Sequence, residues 1–128
     1  MRELQRTYRG RATPRDEPET TSDVERALVI ASLDAGADEV DDHLDEVAAL
    51  LDTAGAEVIG RLVQRRDRPD PRTYLGAGRL AELKETAKES GADLIAAATE
   101  LTPGQQRALE DALSIRVVDR TAVILDIF

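Results

Sequence analysis

Six arginines, Arg61, Arg65, Arg66, Arg68, Arg72 and Arg79, fall between positions 61 and 79, a stretch that also carries Tyr74 and only two acids. Guanidinium groups present planar forks of donors that match phosphate oxygens and stack on bases, and a tyrosine ring adds a stacking surface. These residues are therefore candidates for nucleic-acid binding. The same arginines are equally suited to pairing with the chain's own carboxylates, and charge alone does not separate the two roles. The stretch closes on Gly76-Ala-Gly-Arg-Leu-Ala81, the loose form of the dinucleotide fingerprint. A turn of that kind sets backbone N–H groups and a helix start against phosphate, which makes Gly76, Gly78 and Arg79 a candidate cofactor-binding set. The competing role is a glycine turn that lets a helix pack. The fingerprint follows a strand directly, whereas here Pro69-Asp-Pro71 intervenes.

Other chemistries lack their parts. With no cysteine and one histidine, disulfides, thiol nucleophiles and zinc clusters are excluded, and no metal site is expected. His43 stands among Asp41, Asp42, Asp45 and Glu46 with no serine partner, and those acids read as the solvated face of a helix. No catalytic constellation is evident. The G-x-x-x-x-G-K-[ST] phosphate loop occurs nowhere, so this chain is expected to have no GTPase activity by itself and no cofactor of its own.

The elements that must carry the arginines alternate in period. Positions 27–33 form a nearly continuous apolar run, as a strand covered on both faces would, 57–63 is a second strand-like run, and 93–98 and 115–118 read as a third and a short fourth strand. Between them lie helical patterns: one capped by Asp38 with Val40, Leu44, Val47, Ala48 and Leu51 on its core face and Gly55 as its stop, one ending at Gly91, and one opened by Thr102-Pro103 with Gln105 completing a capping box. Strand and helix in alternation predict an α/β fold, a small parallel four-stranded sheet with helices on both faces. Residues 1–23, with Pro14, Pro18 and mixed charge, read as a disordered or extended tail, and the net basic first fifteen residues raise a nucleic-acid arm as the alternative. The domain is expected over 24–120. The last apolar segment stops at Phe128 without a stop signal, so the chain reads as cut.

Net charge is -9, with nine acids and no lysine or arginine from Ala27 to Gly60. A general nucleic-acid or anionic-membrane binder would be basic throughout, so any phosphate contact must be local. The excess of acid, and of arginine over lysine, points to a host that keeps proteins dissolved at high salt. No apolar run reaches membrane-spanning length and no signal-peptide pattern appears, which leaves a soluble cytoplasmic protein as the expectation.

Four blocks carry a family likeness: 51–60 (LDTAGAEVIG), 64–83 (QRRDRPDPRTYLGAGRLAEL), 100–110 (ELTPGQQRALE) and 117–128 (VVDRTAVILDIF). In this order they resemble the N-terminal domain of the HflX-type ribosome-associated GTPases, over about residues 25–128. The resemblance implies an α/β domain followed by a helical hairpin, begun at 121–128, and then by a GTPase domain in cis that holds GTP and magnesium. It implies the large ribosomal subunit and its rRNA as partners, and a role in rescue or splitting of stalled ribosomes. The glycine turn ends in Arg79 where the family usually has lysine, Ala98 and Thr99 stand where acids are common, and Ala108 stands for an asparagine. Beside this reading stand two others: a small nucleotide-binding domain working at 76–79, and a truncated remnant without activity.

Overall fold

The computed structural model describes residues 24–34, 36–126 and 128. The tail expected at 1–23 lies outside the described residues. Four strands, β1 (Arg26–Leu33), β2 (Glu57–Arg65), β3 (Leu94–Ala97) and β4 (Arg116–Val118), alternate with α1 (Ala37–Thr53), α2 (Ala77–Ser90), α3 (Pro103–Leu113) and α4 (Arg120–Ile124). Every strand pairing is parallel, in the order β2-β1-β3-β4. The α/β sandwich expected from the alternation is what forms.

The order explains the two apolar faces. From β1 the chain steps outward to β2, then crosses back beyond β1 to β3 and continues outward to β4. With right-handed crossovers, a reversal of direction moves the connecting helix to the opposite face. Accordingly Ala27, Val29, Ala31, Leu94, Ala96 and Val118 pack with Val40, Leu44, Val47 and Leu51 of α1 and Val123 of α4. Leu28, Ile30, Leu62, Ile95 and Val117 pack on the other face, with Leu83 and Ala87 of α2 and Leu109 and Leu113 of α3. β1 is inside on both faces, which is why its sequence is apolar without alternation.

Local signals held with two adjustments. The α1 cap is Gly36 rather than Asp38, and it makes no side-chain cap bond. Asp38 and Glu39 lie in the first turn instead, where carboxylates favour the helix dipole. Gly55 at φ 95° and Gly91 at φ 68° end α1 and α2 in the left-handed region where glycine is needed. β2 runs two residues past the expected end at Val63, so Gln64 and Arg65 belong to the strand. The third helix has its capping box: Thr102 Oγ1 accepts from the Gln105 N–H at 3.0 Å, and Gln105 Oε1 accepts from the Thr102 N–H at 2.9 Å.

α4 spans the boundary expected at 120/121. Asp119 caps it by accepting from the Ala122 N–H at 3.1 Å, Arg120 grips Glu46 of α1 through two hydrogen bonds of 3.0 and 3.2 Å, and Val123 is buried against the α1 face. That pairing holds the Glu46 carboxyl below the usual carboxylate range. No helix among the described residues is long and apolar enough to cross a membrane.

Candidate nucleic-acid interface

The arginine stretch begins inside β2 and leaves it as a compact loop. Asp70 organises that loop. Its Oδ1 accepts from the backbone N–H groups of Arg72 (2.8 Å) and Thr73 (3.1 Å), which lowers its pKa, and its N–H and C=O pair with the C=O and N–H of Tyr74. Thr73 Oγ1 donates to the Leu75 carbonyl at 2.7 Å. Gln105 Nε2 donates to the Asp70 carbonyl at 2.8 Å and ties the loop to the start of α3.

Tyr74 anchors the loop, and the stacking role expected for it is corrected here. Its ring is fully buried, and no base reaches it. The hydroxyl accepts from the Ser32 N–H at 2.9 Å and shares a 2.7 Å hydrogen bond with Thr99 Oγ1. It thus bridges the carboxyl ends of β1 and β3, the strands from which the chain departs in opposite directions. In doubly wound sheets that point is the crevice where ligands usually sit, and here a side chain of the protein fills it. Burial pushes the phenol pKa up, against the two hydrogen bonds. Its φ of 68° is costly for a bulky residue and persists because burial and the hydroxyl bonds hold it.

Gln64 completes the anchorage. Its Nε2 donates to Ser32 Oγ (2.9 Å) and its Oε1 accepts from the Gly76 N–H (2.7 Å), so one buried amide joins β1, β2 and the start of α2. Ser32, Gln64 and Thr99 were not picked out from sequence. The available signal was a polar residue at an otherwise apolar strand position, as at Ser32 in β1 and Gln64 in β2.

The anchored loop displays Arg66, Arg68 and Arg72 to solvent. Among the described residues none of the three forms a salt bridge, although the charge of Arg72 contributes to the lowered pKa of Asp70. Arg61 is paired with Asp45 at 2.8 Å and Arg79 with Glu82 at 2.9 Å. Arg65 is exposed at the end of β2 and engaged in an interaction of its own. The structure thus divides the seven sequence candidates four ways: Arg66, Arg68 and Arg72 exposed on the loop, Arg65 exposed at the end of β2 with an interaction of its own, Arg61 and Arg79 held by acids of α1 and α2, and Tyr74 withdrawn into the core.

Gly76 is the N-cap of α2 and has no side-chain cap bond, and the first turn carries no acid. The Arg66 guanidinium lies so close over Gly76 that a Cβ there would meet Nη1 at 2.8 Å. N–H groups of a first helical turn have no partners within the helix, and with a guanidinium beside them they favour an anion. Gly76, Gly78 and Arg79 therefore lie next to the arginine loop rather than at the switch point. Among the described residues no group of histidines and acids is placed to hold a metal ion.

Comparison with known proteins agrees with this architecture. The family model for the GTP-binding GTPase N-terminal domain matches residues 41–128. The GTPase HflX of Caldanaerobacter subterraneus subsp. tengcongensis is 44% identical over 110 residues, covering 86% of this chain and 25% of that protein. The GTPase HflX of Lacrimispora saccharolytica is 42% identical over 104 residues (81% and 25%), and that of Escherichia coli K12 is 37% identical over 87 residues (68% and 20%). A crystal structure of an SsGBP variant shares the fold, with a TM-score of 0.60 at 16% identity over 80% of this chain and 31% of that one. The chain spans about a quarter of the length of the curated relatives it matches. On the family match and these identities, the chain belongs to the GTP-binding GTPase N-terminal family, the N-terminal domain of the HflX-type GTPases.

Proposed function

We propose that this chain is the ribosome-facing RNA-binding module of an HflX-type GTPase, and that Arg66, Arg68 and Arg72 carry the contact with rRNA of the large subunit. The observation that carries this reading is the exposed triad of arginines, with no salt bridge among the described residues, on a loop fixed at both ends to the sheet. An otherwise acidic chain that leaves three exposed cations on one loop without a salt bridge among the described residues has placed its phosphate affinity in one spot. Arg65, at the root of the loop, and the start of α2 with Gly76, Gly78 and Arg79 extend the same basic edge. Arg61 supports the reading only through the position of β2, since Asp45 already holds it. Because no phosphate loop is present, GTP and magnesium belong to a GTPase domain in cis, and this chain supplies docking in a cytoplasmic protein that rescues or splits ribosomes.

Sedimentation of the chain with purified large subunits over a salt series tests this. Each phosphate contact contributes about 0.7–0.9 to the slope of log K against log salt. Replacing all three arginines by glutamine is expected to flatten that slope by roughly two units and to leave thermal unfolding unchanged. A triple variant that binds with the parent's affinity and slope removes the loop from the interface.

A second reading, a nucleotide at the start of α2, is favoured by one observation, the Arg66 guanidinium above the uncapped Gly76 turn. Calorimetric titration with ATP and with GTP separates it from RNA docking, and no heat from either nucleotide eliminates it.

A further inference from the structure

A groove of about 700 Å³ lies along one edge of the sheet, between the carboxyl-terminal half of α1 and the beginning of β2. Val24, Ala48, Val58 and Ile59 give it an apolar floor, and Asp52 and Glu57 stand on its rim. Val24 is 46% exposed. The floor is also where the β1–β2 register shifts, so Ile59 has no partner on β1 and β2 turns locally out of the regular ladder.

The charge around the groove is mainly acidic: Arg61 also lines it, but that guanidinium is paired with Asp45 of α1. α1 carries seven acids and no lysine or arginine, and its last turn has no basic residue to offset the carbonyl end of the helix dipole. Among the described residues, ion pairs engage two of those acids, Asp45 with Arg61 and Glu46 with Arg120. A basic segment with apolar side chains is the chemistry this surface fits.

The chain contains such a segment, and it enters the described region at the groove. Residues 1–15 hold five arginines and one acid, with Leu4 and Tyr8 among them, and Val24 is both the first described residue and part of the groove floor. Eight residues lie between Arg15 and Val24, and the nine Cα–Cα steps extend to ~30 Å at most, against ~25 Å for a helix of the length of α1. All of α1 is within reach. Tethering of this kind gives an effective concentration in the millimolar range, so a weak contact is enough to populate the docked state. We infer that residues 2–15 dock back on this groove, with Leu4 and Tyr8 over Val24, Val58 and Ile59 and the arginines against the acids of α1. The inference is independent of the role of the 66–72 loop.

Because the chain has no cysteine, Thr7→Cys gives a single attachment point for a nitroxide on the full chain. Amide signals of Ala48, Asp52, Val58 and Ile59 are expected to lose more than half their intensity when the label is paramagnetic, while Leu83 and Leu109 on the opposite face keep theirs. Changing Arg2, Arg6, Arg9, Arg11 and Arg15 together to glutamine is expected to restore the lost signals. Uniform broadening, no broadening, or broadening centred on α2 and α3 overturns the inference. So does an effect seen only between labelled and unlabelled copies mixed together, which would place the segment on a second molecule.

Discussion

Tyr74→Phe removes one oxygen atom and tests the anchorage of the arginine loop. In the parent, the hydroxyl accepts from the Ser32 N–H at 2.9 Å and shares a hydrogen bond with Thr99 Oγ1 at 2.7 Å, in a buried setting. Phenylalanine keeps the ring, its packing and the backbone at φ 68°, so the change isolates the polar contacts. It leaves the β1 N–H of Ser32 facing an apolar ring edge. A buried donor left without a partner costs about 1–3 kcal/mol. At ~2 kcal/mol, a domain of this size is expected to lose roughly 8 °C in Tm. The assay is thermal unfolding followed by circular dichroism, run for Tyr74→Phe, Thr99→Val and the double variant. Since both side chains serve one contact, the two losses are expected to fall short of additivity by at least ~0.5 kcal/mol.

The same variant carries a pH signature. Burial raises the Tyr74 pKa above the ordinary value of 10.0, so in alkali the unfolded chain releases this proton first. The contribution is fully present below pH 10.0 and is lost as pH rises from there through the folded value. The parent is therefore expected to weaken on that limb more steeply than Tyr74→Phe. Equal Tm values for parent and variant near neutrality, together with parallel alkaline limbs, would refute the claim that the hydroxyl holds the loop.

Other predictions concern the loop and the core. Asp70 has a lowered pKa because backbone N–H groups of Arg72 and Thr73 bond its charged form. Its stabilising contribution is present above the ordinary aspartate value and disappears as pH falls through the folded one, so Asp70→Asn is expected to flatten the acid limb of a Tm-versus-pH curve. Gly76→Ala places a Cβ 2.8 Å from Arg66 Nη1, the far end of a flexible side chain, and 3.3 Å from Oε1 of the buried Gln64; Tm is expected to fall modestly, since alanine is also a poorer N-cap than glycine, and the salt slope of large-subunit binding to decrease because the guanidinium is displaced. Leu109→Ala, at a fully buried position of α3, is expected to cost about 2–5 kcal/mol in urea unfolding. Loss of binding in that variant at a temperature where it remains folded would show that α3 does more than support the loop through Gln105.

The sequence by itself determined the alternation of elements and most of their limits, because these depend on local rules. A buried parallel strand must be apolar on both faces, as in 27–33. The end of α2 at Gly91 needs a left-handed residue, and Thr102, Pro103 and Gln105 satisfy the first N–H groups of α3 whatever surrounds them. The sequence also located the arginine stretch and its family likeness, since charge and motif are properties of the chain. It did not determine which arginines are presented. Arg61 faces Asp45, Arg79 faces Glu82, and Arg66, Arg68 and Arg72 project from the loop, an outcome that depends on where β2 lies against α1 and on how Asp70 folds the loop. Tyr74 shows the limit most clearly. Next to arginines it has the composition of a stacking residue, yet strand order brings Ser32 and Thr99 within reach of its hydroxyl, and burying the ring at the carboxyl ends of β1 and β3 satisfies both. Only the tertiary structure could decide that, because those partners lie 42 and 25 residues away along the chain.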